Sequence, residues 1–455
     1  MACKALTVLR ERNLLGKEGP NASAVSSLSL SNLVEVAQEI EDVIRSEHRP
    51  VKNPIFSHSA SLGLGGSRLE CANLDCRISR INELARFALM YSDKVFISSF
   101  LSDYKHIEHN EELELAKEQF YEDLFVLYKI RHLLERGYIR FFAPETDICF
   151  SCQAKEFLGD KAGKKFDKEY RILQKSYLNK MSVSCEMEED IYGFSCDGPY
   201  PYFDHERIRV HREVPHEIST RPRIMSRIRK GDPVPLSKRL IRELSFHTDL
   251  SHQIAQNAIH GLATSRCLNT TFVTEHDLHI SFLNSLHPSP EIRRRNYMAL
   301  NYLSSMVPFV EDVAIADIIK LRQREEEAFL AYRKALNVAI DNFSRFDKSF
   351  TVRDAESLYA DVISPSLASL DQKVNQAKRD LVKKPFRSLT GIVGVISFGI
   401  LTGLVPADIS AIATAIGLVK FGADLVQQTM ALGDKENAIK GDQFYFLWKV
   451  KKKAK

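Results

Sequence analysis

Two cysteines separated by two residues form the strongest chemical signal in the sequence. Cys149 and Cys152 stand in the segment DICFSC, after a run that favours a β-strand. A tight turn after a strand can direct two thiolates at one metal ion, and structural zinc sites use this spacing. A second pair must complete the ligand shell, and the candidates are Cys71 with Cys76 or, alternatively, Cys185 with Cys196. The sequence therefore predicts a structural zinc, with buried or incidental thiols as the competing interpretation.

A redox dithiol is another use of the same cysteine spacing. It would require the pair to open a helix within a βαβ unit. The residues that follow, QAKEFLGDK, do not favour such a helix. We therefore expect zinc binding at this pair in preference to redox chemistry.

Basic side chains cluster in the segment RPRIMSRIRK. They can contact phosphates of RNA, of DNA or of a lipid headgroup. No aromatic residues are interleaved for base stacking, so specific recognition of a single strand is not favoured. A solvated or ion-paired helix face is the competing interpretation, and nucleic acid is not excluded as a partner. The cluster comprises Arg221, Arg223, Arg227, Arg229 and Lys230.

Two further constellations carry weaker chemical signals. Gly63, Gly65 and Gly66 do not have phosphate-loop spacing and follow Ser and His instead of a β-branched run, which predicts a flexible surface loop. His276 and His279 are expected to be solvated or capping groups, because no HExxH motif surrounds them. Without a GxSxG or kinase motif either, we assign no catalytic residue.

An apolar stretch without charged residues runs from Leu389 to Val405. As a helix it would measure about 25 Å, just short of a bilayer core of about 30 Å. Small residues, including the step from Gly399 to Gly403, would let a returning helix pack closely against it. We expect residues 389–424 to form a helical hairpin packed on helices of residues 318–384. Insertion into a membrane is the alternative.

Composition favours a soluble globular protein, since 44% of the 455 residues are hydrophobic and 27% are charged. The net charge of +4 is too small to imply nucleic-acid binding by itself. The first residues lack the apolar run of a secretory signal, and eight cysteines are too few for a disulfide scaffold. We expect a cytoplasmic protein, with membrane association through residues 389–424 as an alternative.

Hydrophobic periodicity predicts a mainly α fold with a small N-terminal α/β part and a C-terminal helical bundle that ends in the apolar hairpin. KVFISSFL and YIRFFAP are the predicted strands of the α/β part, and a helix is predicted from Ser289 through SPEIRRRNYMALNYLSSMV. The predicted segments are a flexible arm (1–30), a small α/β domain (31–160), an irregular β insertion (161–232), a helical domain (233–350) and C-terminal helices (351–455).

Two segments in the last third of the chain carry a resemblance. They are LRQREEEAFLAYRKAL, from Leu321 to Leu336, and DQFYFLWKV, from Asp442 to Val450, which holds the only tryptophan, Trp448. Both are similar to segments of uncharacterised bacterial proteins with a Gly/Ala-rich apolar hairpin between them. The resemblance implies a bacterial cytoplasmic origin and supplies no activity, ligand or catalytic residue.

Two functional hypotheses follow from these patterns. The first is a non-enzymatic, helix-rich scaffold or effector, whose C-terminal helices self-associate or pack against a protein partner or a membrane. The alternative is a zinc-containing enzyme or nucleic-acid-processing protein with its site near the Cys- and His-rich residues 149–216.

Overall fold

The computed structural model describes residues 3–47, 50–51, 56–68, 72–143, 149–188, 191–197, 207–211, 216–274, 277–286, 297–299, 310, 312–343, 352–383 and 438–454. The chain forms two compact units, residues 1–301 and 302–455. Helices dominate both units and a parallel sheet lies in the first, so the expected mainly α fold with a smaller α/β part is confirmed. The predicted hairpin of residues 389–424 lies outside the described residues.

The first unit alternates helices and strands along most of its length. In chain order its elements are α1 (Lys4–Glu11), α2 (Ala22–Ser26), α3 (Leu30–Glu47), β1 (Ser57–Ala60), α4 (Leu74–Met90), β2 (Lys94–Ser98), α5 (Leu113–Glu135), β3 (Ile139–Phe142), α6 (Phe150–Leu158), α7 (Asp160–Lys180), β4 (Ser182–Glu188), β5 (Ile191–Asp197), β6 (Arg207–His211), α8 (His216–Ser219), α9 (Pro222–Ile228), β7 (Val234–Pro235), α10 (Lys238–Glu243), α11 (Phe246–Leu268), β8 (Thr271–Thr274), α12 (Asp277–Leu286) and β9 (Tyr297–Ala299). Short 3₁₀ turns at Ser102–His106 and Asn110–Glu112 lead into α5.

Five parallel strands form the main sheet in the order β3-β2-β1-β8-β9. The chain runs outward from β1 through β2 to β3, and its later strands β8 and β9 lie on the other side of β1. The order of the strands therefore reverses between β1 and β8. The strands predicted in KVFISSFL and YIRFFAP are confirmed as β2 and β3.

Three of the five strands, β1, β8 and β9, were not among those predicted. β1 consists of Ser57, His58, Ser59 and Ala60, which carry none of the β-branched residues that favour strands, yet all four are buried between β2 and β8. The helix predicted through residues 289–307 is wrong at Tyr297–Ala299, which pair with β8 as β9. Both segments are strands because their backbones pair with neighbouring strands. Local sequence pattern does not reveal such pairing.

A second sheet of four antiparallel strands has the order β6-β5-β4-β7. Three of its strands lie in the predicted β insertion of residues 161–232, which also holds α8, α9 and most of α7. Its core packs Val183 and Phe194 against Ile228 of α9 and Phe246 of α11. This sheet therefore belongs to the same unit as the parallel sheet.

The N-terminal segment is folded, contrary to the predicted flexible arm. α1 and α2 bury Leu6, Leu9 and Val25, and α1 packs against α3. Because these apolar side chains gain about 25 cal/mol for each Å² that they remove from water, the segment is held against the unit in spite of its Ser and Gly content.

The second unit contains α13 (Ile315–Arg324), α14 (Glu326–Phe343), α15 (Val352–Leu358), a π-helical turn (Tyr359–Ile363), α16 (Ser364–Lys383) and α17 (Tyr445–Lys453). Phe446 of α17 stacks on Tyr332 of α14, with 5.7 Å between the ring centroids. The indole N–H of Trp448 donates to Asp371 of α16 at 2.9 Å. The terminal aromatic segment is thus part of the core that α14 and α16 provide.

In the portion of the chain that the structure describes, none of the helices has both the length and the apolar character that crossing a bilayer requires.

Candidate functional site

The carboxyl ends of the parallel strands meet at one edge of the sheet, which we call the carboxyl edge. Ser61 follows β1, Ser99 follows β2, Ala143 follows β3 and Thr274 ends β8. In open α/β sheets, ligands bind outside this edge at the point where the strand order reverses. Here that point lies between β1 and β8, beside Ser61 and Thr274.

The glycine-rich loop after β1, residues 61–67, is buried, which corrects the expected flexible surface loop. Six of its seven backbone amides donate hydrogen bonds within the protein: Ser61 to Val273 O, Leu62 to Asn257 Oδ1, Leu64 to Ser61 Oγ, Gly65 to Ser61 O, Gly66 to Gly63 O and Ser67 to Leu62 O. A phosphate cradle needs such amides to point at the ligand. The loop is therefore a packed turn and does not act as a phosphate cradle.

Gly66 gives this loop its shape. Its φ of +77° lies in the left-handed region, and a Cβ added there would stand 3.0 Å from Val126 Cγ1 of α5. The carbonyl of Gly66 accepts a 2.8 Å hydrogen bond from Arg77 Nε in the first turn of α4. Both constraints hold the loop closely against α4 and α5.

A buried ionic network supports the loop from behind. Arg77 Nη2 bonds to Asp123 Oδ1 of α5, and the Tyr104 hydroxyl donates to Asp123 Oδ2 at 2.7 Å. Burial raises the pKa of the Asp123 carboxyl, while these donors favour its charged form. Arg68 bonds to Glu122 next to this pair. The network fixes the position of the loop and of the turn after β2.

Small hydroxyl groups line the carboxyl edge on both sides of β1. After β2, the Ser102 hydroxyl donates to Ser99 Oγ at 2.8 Å, so the Ser99 proton points away from that bond. At the end of β8, Thr274 Oγ1 is 2.6 Å from His279 Nδ1 of α12. Both Thr274 and His279 are fully buried, which corrects the expectation of a solvated or capping His279. His276 lies outside the described residues.

Two buried polar side chains, one on α11 and one on β1, lie close to the carboxyl edge. Asn257 of α11 is buried and accepts the bond from Leu62, and Ser59 of β1 is fully buried. Ser59 Oγ has no hydrogen-bond partner among the residues that the structure describes. Sequence patterns did not single out Ser59, Asn257 or Thr274, because no local motif surrounds them. They could have been identified as polar residues at positions that are buried in the fold.

The predicted cysteine pair opens α6. Cys149 is the N-cap residue and Cys152 lies in the first turn, and both are exposed. Hydrogen bonding to Cys152 lowers the pKa of Cys149 below its ordinary value. The Cys152 amide makes the larger contribution and the Cys152 thiol the smaller one. The bond to Cys149 raises the pKa of Cys152. The expectation that the residues after Cys149 do not form a helix is therefore wrong.

The other predicted zinc ligands lie in different elements. Cys76 is half-buried in α4, and Cys71 lies outside the described residues. Cys185 of β4 is buried in the core of the antiparallel sheet, and burial raises its pKa to about 11. Cys196 of β5 pairs with Val183 of β4.

Within the described ranges, no three His, Cys, Asp or Glu side chains stand close enough to hold a metal ion together. The zinc site therefore stays a prediction.

The predicted basic cluster is exposed and lies in and around α9. Arg221 precedes the helix as its N-cap, Arg223 and Arg227 project from it, and Arg229 and Lys230 follow it. Met225 and Ile228 on the opposite side of the helix are buried. The fold thus turns one face of this short helix to the core and its cationic face to solvent.

Comparison with known proteins gives no matching family model, and neither a curated protein nor a solved structure matches the chain significantly.

Proposed function

We propose that this protein is a non-enzymatic, helix-rich effector whose first unit binds a hydroxyl-rich small molecule of the nucleoside class at the carboxyl edge. The observation that supports this proposal most strongly is the reversal of strand order between β1 and β8, beside hydroxyl side chains that follow or end the strands. The second unit, with its terminal helices, supplies contact with a protein partner or a membrane.

The polar groups at the edge favour sugar hydroxyls and amide groups over a phosphate. Ser99 and Ser102 offer hydroxyl groups, whereas Thr274 is fully buried beside His279 and six amides of the loop after β1 are engaged inside the protein. A hydroxyl group both donates and accepts, so this edge can pair with a ribose or a base edge. Phosphate groups of a bound nucleotide would point away from the loop.

Binding is tested by the thermal shift of the full chain with adenosine, uridine, guanosine and their triphosphates. We expect at least one nucleoside to raise the Tm and to bind within about tenfold of its triphosphate, because the phosphates add few contacts. Inorganic triphosphate should not compete.

A double variant connects binding to the edge. Ser99→Ala with Ser102→Ala removes both partners of one hydrogen bond together, which should preserve the fold. We expect about tenfold weaker nucleoside binding, whereas Ser285→Ala should bind like the wild type, because in the described part of the chain its hydroxyl donates to its own helix, at Phe282 O. No shift with any nucleoside, or equal affinity of the double variant and the wild type, would contradict the proposal.

A further inference from the structure

The two exposed cysteines at the start of α6 lie next to each other. Cys149 is the N-cap residue of the helix and Cys152 lies in its first turn, and both side chains are exposed. From the radius and rise of an α-helix, Cα atoms three residues apart lie about 5 Å from each other, which is within the Cα separation that a disulfide needs. The pair can therefore close into a disulfide without a large movement of the backbone.

The turn that carries the pair is firmly anchored. Ser151, between the cysteines, donates its hydroxyl to Gly163 O of α7 at 3.2 Å. Gly163 also lets the two helices approach, since a Cβ there would stand 2.7 Å from Lys155 Cβ. Phe150 packs against Phe166 of α7 and His252 of α11. These contacts bury the inner side of the turn and leave both sulfur atoms on its outer side.

We propose that Cys149 and Cys152 are a redox-active dithiol that exchanges with disulfide-bearing substrates. The Cys149 thiolate attacks one sulfur of a substrate disulfide, which forms a mixed disulfide and releases one substrate thiolate. Cys152 then loses its proton and attacks Cys149 Sγ, which forms the Cys149–Cys152 disulfide and releases the second substrate thiolate. The protein dithiol gives up two electrons and two protons, and the substrate disulfide takes them up as two thiols.

The location of the other cysteines agrees with this role. Cys185 is buried, and Cys76 is half-buried on a different element. Cys267, near the end of α11, is exposed but has no second cysteine at this spacing. Among the described cysteines, Cys149 and Cys152 alone combine exposure with the i to i+3 spacing that exchange requires.

The test uses the full chain, fully reduced and then equilibrated with mixtures of oxidised and reduced glutathione. Alkylation and peptide mass spectrometry identify each cysteine's product. With reduced glutathione held at one fixed concentration, we expect an internal Cys149–Cys152 disulfide that is half-formed at a ratio of oxidised to reduced glutathione at least about tenfold lower than the ratio that half-modifies Cys267, because ring closure is intramolecular. Cys152→Ser should trap one glutathione on Cys149.

Matched variants and a metal analysis separate the outcomes. Cys267→Ser should form the internal disulfide like the wild type, which would support the proposal. Separate glutathione adducts on Cys149 and Cys152 of the wild-type chain, formed at the same ratio as the Cys267 adduct, would overturn it. So would one tightly bound zinc per chain that Cys149→Ser abolishes and that must be chelated before either thiol reacts, since the pair would then be a metal site.

Discussion

Arg77 carries a full charge at a position that is only 1% exposed, and its partner Asp123 is almost as deeply buried. Removing one member of such a pair leaves the other charge without compensation, which costs more than the pair itself contributes. Arg77 also holds the loop after β1 through Gly66 O. The consequences of losing this side chain are therefore expected both in stability and at the carboxyl edge.

We expect Arg77→Leu to lower the free energy of unfolding of the first unit by about 3–5 kcal/mol. Hydrogen exchange of the α4 and α5 amides measures this loss. Arg239→Ala is the matched control, because Arg239 pairs with Glu243 one turn along α10 and its side chain is 83% exposed, so its loss should change stability by about 0.5 kcal/mol or less. A similar loss in both variants would show that burial of Arg77 is not what makes it important.

Single residues also show how far the sequence alone could lead. Spacing singled out Cys149 and Cys152, but their chemistry depends on whether a helix begins there, and that helix is held by α7, which follows it directly, and by α11 from a distant part of the chain. Ser59 and Thr274 have no motif around them, and they gain meaning only where strands far apart in sequence lie side by side. Motifs with local spacing were therefore visible, and sites assembled by topology were not.

Among the elements, the two strands predicted in the α/β part were confirmed. β2 and β3 are rich in β-branched and aromatic residues, which indicate a strand from local sequence alone. β1 and β9 are not, and they became strands because neighbouring strands pair with their backbones. A central strand of small polar residues is stabilised by its hydrogen-bond ladder and by the helices that cover it, so propensity underestimates it.

The contact between α11 and β8 illustrates such packing and yields a second prediction. A Cβ at Gly261 of α11 would lie 1.9 Å from Cε2 of the fully buried Phe272. Alanine favours a helix by about 1 kcal/mol over glycine, but the overlap should dominate, and we expect Gly261→Ala to destabilise the first unit by about 1–3 kcal/mol. Urea unfolding measures the change.

The matched control for this substitution is Gly16→Ala, where the nearest atom would lie at an ordinary 3.5 Å. Its stability should change by about 0.5 kcal/mol or less. Adding Phe272→Leu to Gly261→Ala should recover part of the loss, because the smaller side chain vacates the overlap. A stable Gly261→Ala protein would mean that α11 does not lie as close to β8 as described.

At the scale of the whole molecule, the division into two units was not evident from composition. The antiparallel sheet of residues 182–235 and the parallel sheet share the first unit, although helices separate them along the chain on both sides. The net charge says little about binding to a polyanion, because the charges of 63 basic and 59 acidic residues nearly cancel. Any affinity for a polyanion must therefore arise from a local surface, and the exposed arginines around α9 form one such surface.

Two variants with the same loss of charge test this location. The first replaces Arg223, Arg227 and Arg229 with Gln, and the second replaces the exposed Lys164, Lys165 and Lys168 of α7 with Gln. If the α9 surface contacts phosphates, the slope of log affinity for a labelled DNA duplex against log salt should shrink by about 2–3 in the arginine variant and by less than about 1 in the lysine variant. Fluorescence anisotropy over a range of salt concentrations measures both slopes. A specific phosphate contact depends on where the charges lie, whereas an effect of net charge is the same wherever they lie. Equal slopes in the two variants would therefore assign the affinity to net charge, and the arginines would then be a solvated helix face.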